Sequence, residues 1–182
     1  RDVFITIPGA YEETRDDGTV VSRLIASSEN LWIPVRNENN QIIAIKIRKI
    51  QVAKKKWEQI YFENRNKNLE VNEKEGPKYI YLSSLKKGGT GPGTPIHVPN
   101  LLETKPDILR ITEGEIKADI TTAISGVMTI SIPGVGSWPS VVKTVQKIAP
   151  KRVLIALDMD SNKNPMVAGA LRNLSKKLVS LG

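Results

Sequence analysis

Three short segments carry the side chains that could do chemistry: Thr112-Glu113-Gly114-Glu115, Asp158-Met159-Asp160 and the loop Pro133-Gly134-Val135-Gly136. Asp158 and Asp160 stand two residues apart, and in an extended chain such residues project to the same side, where they can share one divalent ion. Glu113 on a neighbouring strand would face that ion across a crevice. The result is a carboxylate–metal site suited to phosphate chemistry. Composition narrows the choice of metal. The chain has no cysteine and a single histidine, His97. This excludes thiol nucleophiles, zinc ribbons, iron–sulfur sites and multi-histidine metal sites within it, and makes a Ser–His–Asp triad a poor fit. A metal held by oxygen ligands alone is a hard cation, Mg²⁺ or Mn²⁺.

These segments need elements that end in the right places. The apolar run Ile108-Leu109-Arg110-Ile111 predicts a strand just before Glu113, and Glu115 to Ser125 reads as a helix. Val127 to Ile130 predicts a strand running into the glycine loop, followed by a helix over 139–148. Arg152 to Leu157 predicts a third strand, apolar enough to be central, with Asp158 directly after it. A last helix begins at Pro165, with Val167, Leu171, Leu174 and Leu178 at helical spacing. Strands alternating with helices imply a parallel sheet, and ligands of such sheets bind beyond the carboxyl ends of the strands. Each motif also has a purely structural reading. Thr112 with Glu115 matches a capping box, Asp160 could cap the final helix, and Gly134 and Gly136 could only make a turn. Thr112 can cap while Glu113 points into the crevice.

The first hundred residues have a different rhythm. Leu31 to Arg36 and Ile42 to Ile50 read as a hairpin around the turn Asn37-Glu38-Asn39-Asn40, with Ile43, Ile45 and Ile47 on one face and Lys46 and Arg48 on the other. Lys78 to Leu82 predicts a further strand, and Lys54 to Gly76 a long hairpin or excursion loop. Residues 86–95 are too rich in glycine and proline for regular structure. They lack the Gly-Lys-Ser/Thr ending of a phosphate loop and read as a hinge. His97 reads as a packing or surface residue. Lys46, Arg48, Lys49, Lys54, Lys55, Lys56 and Lys78 form the candidate DNA-binding set: lysine and arginine hold a single strand by its phosphates without reading sequence. Trp57, Tyr61, Phe62, Tyr79 and Tyr81 are candidate base-stacking residues. The structural alternative is a solvated basic face with aromatic residues in the core.

Taken together, a strand ending in Thr-Glu-Gly, a strand followed by Gly-x-Gly and a strand ending in Asp-x-Asp resemble the Toprim domain of bacterial-type primases, topoisomerases, some nucleases and recombination mediators. Thr-Glu-Gly-Glu-Ile-Lys-Ala at 112–118 is most similar to the version in phage and plasmid primases. The first half resembles the segment before Toprim in the same primases, through 31–36, 42–48, Gly76-Pro77-Lys78-Tyr79, Ser83-Ser84 and Pro8-Gly9-Ala10-Tyr11. The resemblance implies acid–base chemistry at Glu113 and Mg²⁺ (or Mn²⁺) on Glu113, Asp158 and Asp160. Gly134, Gly136 and Lys117 are the implied nucleotide- or phosphate-binding residues. Lys117 stands where many bacterial primases carry aspartate, and marks a mobile-element subfamily.

The expected fold is therefore α/β: a Toprim-like (Rossmann-like) parallel sheet with flanking helices over 101–182, preceded by a smaller β-rich basic subdomain over 1–100. The expected activity is synthesis of short RNA primers from nucleoside triphosphates on single-stranded DNA. A replicative helicase, separate or in the same polypeptide, is a further expected partner. The alternatives are a Toprim nuclease and a Toprim module that only binds DNA or a helicase. The 182 residues carry a net charge of +8, with 40% hydrophobic and 25% charged residues, which fits a globular chain with a polyanionic partner. No apolar run approaches the ~20 residues of a membrane helix, and a cytoplasmic setting is expected. The chain reads as a piece of a longer polypeptide, with the Toprim sheet expected to continue past residue 182 through a further strand and acidic motif.

Overall fold

The computed structural model describes residues 6–25, 30–49, 78–100, 105–158 and 164–181. The chain divides into two compact units, Arg1–Ile33 with Ile45–Gly91, and Pro34–Ala44 with Pro92–Gly182.

The first unit opens with a hairpin of β1 (Ala10–Thr14) and β2 (Val20–Leu24), paired antiparallel from Ala10↔Leu24 to Thr14↔Val20. The Asp17 carboxylate accepts the Thr19 N–H at 2.8 Å, and Gly18 takes φ +80°, so an Asp-Gly turn makes this hairpin. Its strands are largely exposed and mix polar with apolar residues, without an alternation that would announce them. Strands β3 (Leu31–Arg36), β4 (Ile42–Arg48) and β5 (Tyr79–Tyr81) form a sheet in the order β3-β4-β5. The Asn37 side chain accepts the N–H groups of Asn39 and Gln41 at 3.0 Å each, and Asn40 takes φ 60°, so the asparagines do build the expected turn. The alternation in β4 is looser than expected: Ile47 is buried, but so is Ala44 from the opposite set, and Ile43 and Ile45 are half-buried.

The glycine-rich stretch begins with a closed loop. A 3-10 turn at Leu85–Lys87 is followed by Thr90, whose N–H donates to Ser84 Oγ at 3.1 Å while its carbonyl accepts the Ser84 N–H at 3.1 Å. A Cβ on Gly89 would lie 2.2 Å from Ser84 Oγ and 2.4 Å from the Ala10 carbonyl, so this glycine is required by close packing.

The second unit alternates strand and helix: β6 (Ile108–Glu113), α1 (Glu115–Ser125), β7 (Thr129–Ile132), α2 (Trp138–Ile148), β8 (Arg152–Ile155) and α3 (Pro165–Val179). The three strands are parallel, in the order β7-β6-β8. This corrects the expectation that the 152–157 segment is central. That strand stops at Ile155 and stays partly exposed along its length, whereas β6 buries Leu109 and Ile111 completely and takes the middle. One face of the sheet is apolar: Leu109, Ile111, Ile130 and Ile132 share a core with Val141, Val145 and Ile148 of α2 and Leu174 of α3. The other set of side chains is buried but polar, with Thr112, Thr129 and Ser131. There Thr122 Oγ1 of α1 accepts the Thr129 N–H at 2.9 Å. Strand β7 starts two residues later than the periodicity predicts because Gly126, at φ 66°, closes α1 first.

Both helix-cap readings fail. Helix α1 is capped by Gly114 without any side-chain bond, and Thr112 lies inside β6. Glu115 is then the first helical residue, too early to close a capping box, which needs the acid at the third. Helix α3 takes Asn164 as its N-cap, whose side-chain Oδ1 accepts the Met166 N–H at 3.0 Å. No helix among the described residues is long and apolar enough to cross a membrane.

Candidate active site

The strand order sets the site. Glu113 is the last residue of β6 and pairs in register with Ile132 of β7. On the other side, Ile111 pairs with Ile155, and the Ala156 N–H donates to the Ile111 carbonyl at 2.8 Å, carrying the β6–β8 ladder one residue past the strand. Asp158 follows two residues later. Two adjacent parallel strands thus deliver Glu113 and Asp158 to the same edge of the sheet, their carboxyl ends. Gly114, at φ 84°, makes the direct turn from strand to helix that a side chain would strain. Asp160 lies outside the described residues.

Lys117, one turn into α1, reaches across this edge. Its Nζ donates to Asp158 Oδ1 at 2.6 Å, with the two side chains 49% and 56% exposed. The lysine implied as a phosphate contact therefore holds a carboxylate here.

At the end of β7, residues 133–137 turn into α2 through a short 3-10 segment, in which the Ser137 N–H donates to the Gly134 carbonyl at 2.9 Å. Neither Gly134 nor Gly136 has positive φ, and a Cβ on either would meet nothing within 4 Å. The fold places no demand for glycine at these two positions.

Among the described residues no three histidine, cysteine or acidic groups converge on a metal position. The donors the edge does offer fit Mg²⁺ in kind. Glu113 and Asp158 supply hard oxygen ligands, and Asp158 already holds a cation in the form of the Lys117 ammonium.

The predicted basic residues of the first unit also meet. Lys46 pairs across the sheet with Tyr81, and Arg48 with Tyr79. The Lys46 Nζ lies 5.3 Å from both ring centroids, the Arg48 guanidinium 5.9 Å from Tyr79, and the Lys78 Nζ 5.9 Å from the same ring. Cation–π contacts of this kind are worth about 0.5–1 kcal/mol at exposed sites. They hold a cationic, aromatic surface together. The Lys49 N–H donates to the Lys78 carbonyl, extending the ladder. Lys54, Lys55, Lys56, Trp57, Tyr61 and Phe62 lie outside the described residues.

One acid of α1, Asp119, has a role the sequence reading does not assign, and the other, Glu115, loses its expected capping role. Glu115 is buried. Asp119 accepts a hydrogen bond from His97, which is itself buried. His97 Nδ1 accepts the Arg36 N–H at 3.2 Å, so the ring proton sits on Nε2 and is donated to Asp119 Oδ1 at 2.9 Å. The main chain of His97 bridges Ser131 of β7 in both directions, at 3.0 and 2.9 Å. The packing reading of His97 is thus the right one, and its partners are polar. The signal available beforehand was only two acids four residues apart on one helix face.

No protein-family model matches the sequence, and a search among curated proteins returns no significant match. Among solved structures, a crystal structure of the Aquifex aeolicus primase (zinc-binding and RNA polymerase domains) aligns with 86% of this chain and 32% of its own, at 14% identity and a TM-score of 0.47. A DnaG primase catalytic domain bound to single-stranded DNA aligns with 79% of this chain and 38% of its own, at 14% identity and a TM-score of 0.39. The chain spans about a third of the length of the structures it matches.

Proposed function

We propose that this chain is the nucleotidyltransferase core of a Toprim-type DNA primase from a phage, plasmid or other mobile element, joining nucleoside triphosphates into a short RNA primer on single-stranded DNA. The observation that carries the reading is the strand order β7-β6-β8, which brings the end of β6 with Glu113 beside the end of β8 with Asp158. That is where parallel sheets bind ligands. The glycines at the end of β7 add to it, since their backbone is open to close approach by a phosphate and the fold itself does not need them.

Asp158 and Asp160 hold Mg²⁺ in this reading, with Glu113 at the neighbouring strand end. Held there, Mg²⁺ would supply charge to offset the triphosphate and to favour the ionised 3′-hydroxyl. Glu113 accepts the proton of that hydroxyl or helps hold the ion. The backbone at Gly134 and Gly136 cradles the triphosphate. Lys46, Arg48 and Lys78 hold template phosphates, and the exposed ring of Tyr79 offers a stacking surface for a base.

The test is incorporation of labelled ribonucleotides on single-stranded DNA with Mg²⁺ or Mn²⁺, by the full-length protein and by its Asp158→Ala and Asp160→Ala variants. Templated synthesis that either substitution abolishes supports the proposal. Metal-dependent cleavage of the template without synthesis would assign a nuclease instead. Binding of DNA with neither reaction would leave a non-catalytic module.

A further inference from the structure

The pair formed by Lys117 and Asp158 is the least expected feature of the acidic edge. Forty-one residues separate the two in sequence, yet the ammonium sits 2.6 Å from the carboxylate that the proposed function assigns to the metal. An ammonium and a hydrated dication make competing demands on that oxygen. One donates hydrogen bonds to it, and the other needs the same lone pairs. Glu113, Lys117 and Asp158 come from β6, α1 and the segment after β8, so Lys117 is placed at this edge by the strand-to-helix turn at Gly114.

We infer that Lys117 is a tethered counter-cation: it occupies Asp158 when no metal is bound and must leave Asp158 when a divalent ion enters. This rests on the metal reading of Asp158 given above. The physical logic runs through charge. Without a cation, carboxylates at one strand edge repel each other, and Lys117 relieves that repulsion from within the chain. Both side chains are about half exposed, so the pair is weak enough for a dication to displace, as exposed ion pairs generally are. A released ammonium is then free beside the metal to meet an anionic group. A triphosphate supplies one, so Lys117 serves as a phosphate contact only after metal entry. Toward the metal, Lys117 acts only through Asp158.

The competition has a definite consequence. Removing the ammonium should tighten divalent binding, because the ion no longer displaces a partner or approaches a positive charge. For an exposed pair this amounts to about two- to fivefold in affinity. Lys117→Arg keeps the charge and should stay near the wild-type value.

Two measurements on the whole protein test this. The first is Mn²⁺ affinity, read from the electron paramagnetic resonance signal of the free ion, for wild type, Lys117→Met and Lys117→Arg. The second is the rate at which an amine-reactive ester labels Lys117 in the wild type, followed by peptide mass spectrometry as Mg²⁺ is added. The exposed Lys143 serves as the internal reference. The expected result is tighter Mn²⁺ binding by Lys117→Met alone, together with Mg²⁺-dependent release of Lys117 to labelling. Equal Mn²⁺ affinity in all three proteins, or Lys117 labelling indifferent to Mg²⁺, overturns the counter-cation role while leaving the metal reading in place. Failure of both wild type and Lys117→Met to bind Mn²⁺ overturns the metal reading and this inference with it.

Discussion

Substituting His97 by leucine tests the local architecture around α1 most sharply. The imidazole is 2% exposed and makes two hydrogen bonds, one with the Arg36 amide and one with Asp119. Leucine has similar bulk, so the cavity contribution is small and the loss is mainly polar. The Arg36 N–H loses its acceptor in a partly buried position, which costs about 1–3 kcal/mol. The bond to Asp119 is lost as well, but that carboxylate is 47% exposed and recovers water, so this part costs only about 1 kcal/mol. The sum is about 2–4 kcal/mol. Asp119→Ala leaves the Arg36 bond intact and opens the Nε2–H to solvent from its exposed side, so it should cost about half as much. Asp119→Asn keeps an acceptor and should cost under about 1 kcal/mol. Urea unfolding of the four proteins, with unchanged slopes as the check on two-state behaviour, measures all three differences. If Asp119→Ala costs as much as His97→Leu, or His97→Leu costs less than about 1 kcal/mol, the imidazole does not hold the Arg36 amide in the way the geometry requires.

Other expectations follow from the same contacts. Gly89→Ala should destabilise the first unit by about 1–3 kcal/mol, because its Cβ has no space beside Ser84 and Ala10. Gly134→Ala should unfold like the wild type within about 0.5 kcal/mol, yet weaken triphosphate binding, read by titration calorimetry; unchanged binding would remove that glycine from the nucleotide site. Reversing Lys46, Arg48 and Lys78 to glutamate should weaken binding of single-stranded DNA and flatten its salt dependence by about 2 in log–log slope if each meets one phosphate. An unaltered slope would return these charges to solubility. The Lys147 ammonium, donating to Glu38, holds that carboxyl below the usual glutamate range. A lowered folded-state pKa gives stability that is complete above the unfolded value of about 4.3 and is lost as pH falls through the folded one. Glu38→Gln should therefore cost up to about 1 kcal/mol at pH 7 and nothing once the pH lies well below the glutamate range, in denaturant melts run at both pH values.

Much of the second unit is legible from residue order alone. The apolar runs around Leu109 and Ile130, and the helical spacing through Leu174, reflect which side chains must leave water, and burial follows those runs closely. The positions of Glu113 and Asp158 at or just after strand ends follow from where the runs stop. The asparagine turn at 37–41 is equally local, because Asn37 satisfies the amides of its own neighbours. The hairpin of β1 and β2 escapes this kind of reading. Its strands mix polar and apolar residues on both faces and are mostly exposed, so no alternation marks them, and the Asp17-Gly18 turn is the clearest local signal for the pairing.

Tertiary structure alone decided the rest. Apolarity suggested the 152–157 segment for the centre of the sheet, but β6 took that place: it pairs on both of its edges, while β8 pairs with β6 and remains partly exposed. Thr112 has the pattern of a helix cap but is a buried strand residue, because a glycine at φ 84° lets the chain turn two residues later. The Lys117–Asp158 pair and the His97–Asp119 pair join residues 41 and 22 positions apart. Periodicity records which way a side chain faces within its own element. Which charge it meets depends on the order in which strands stack, and that order is set by the packing of β6, β7 and β8 against α2 and α3 rather than by any residue's immediate neighbours.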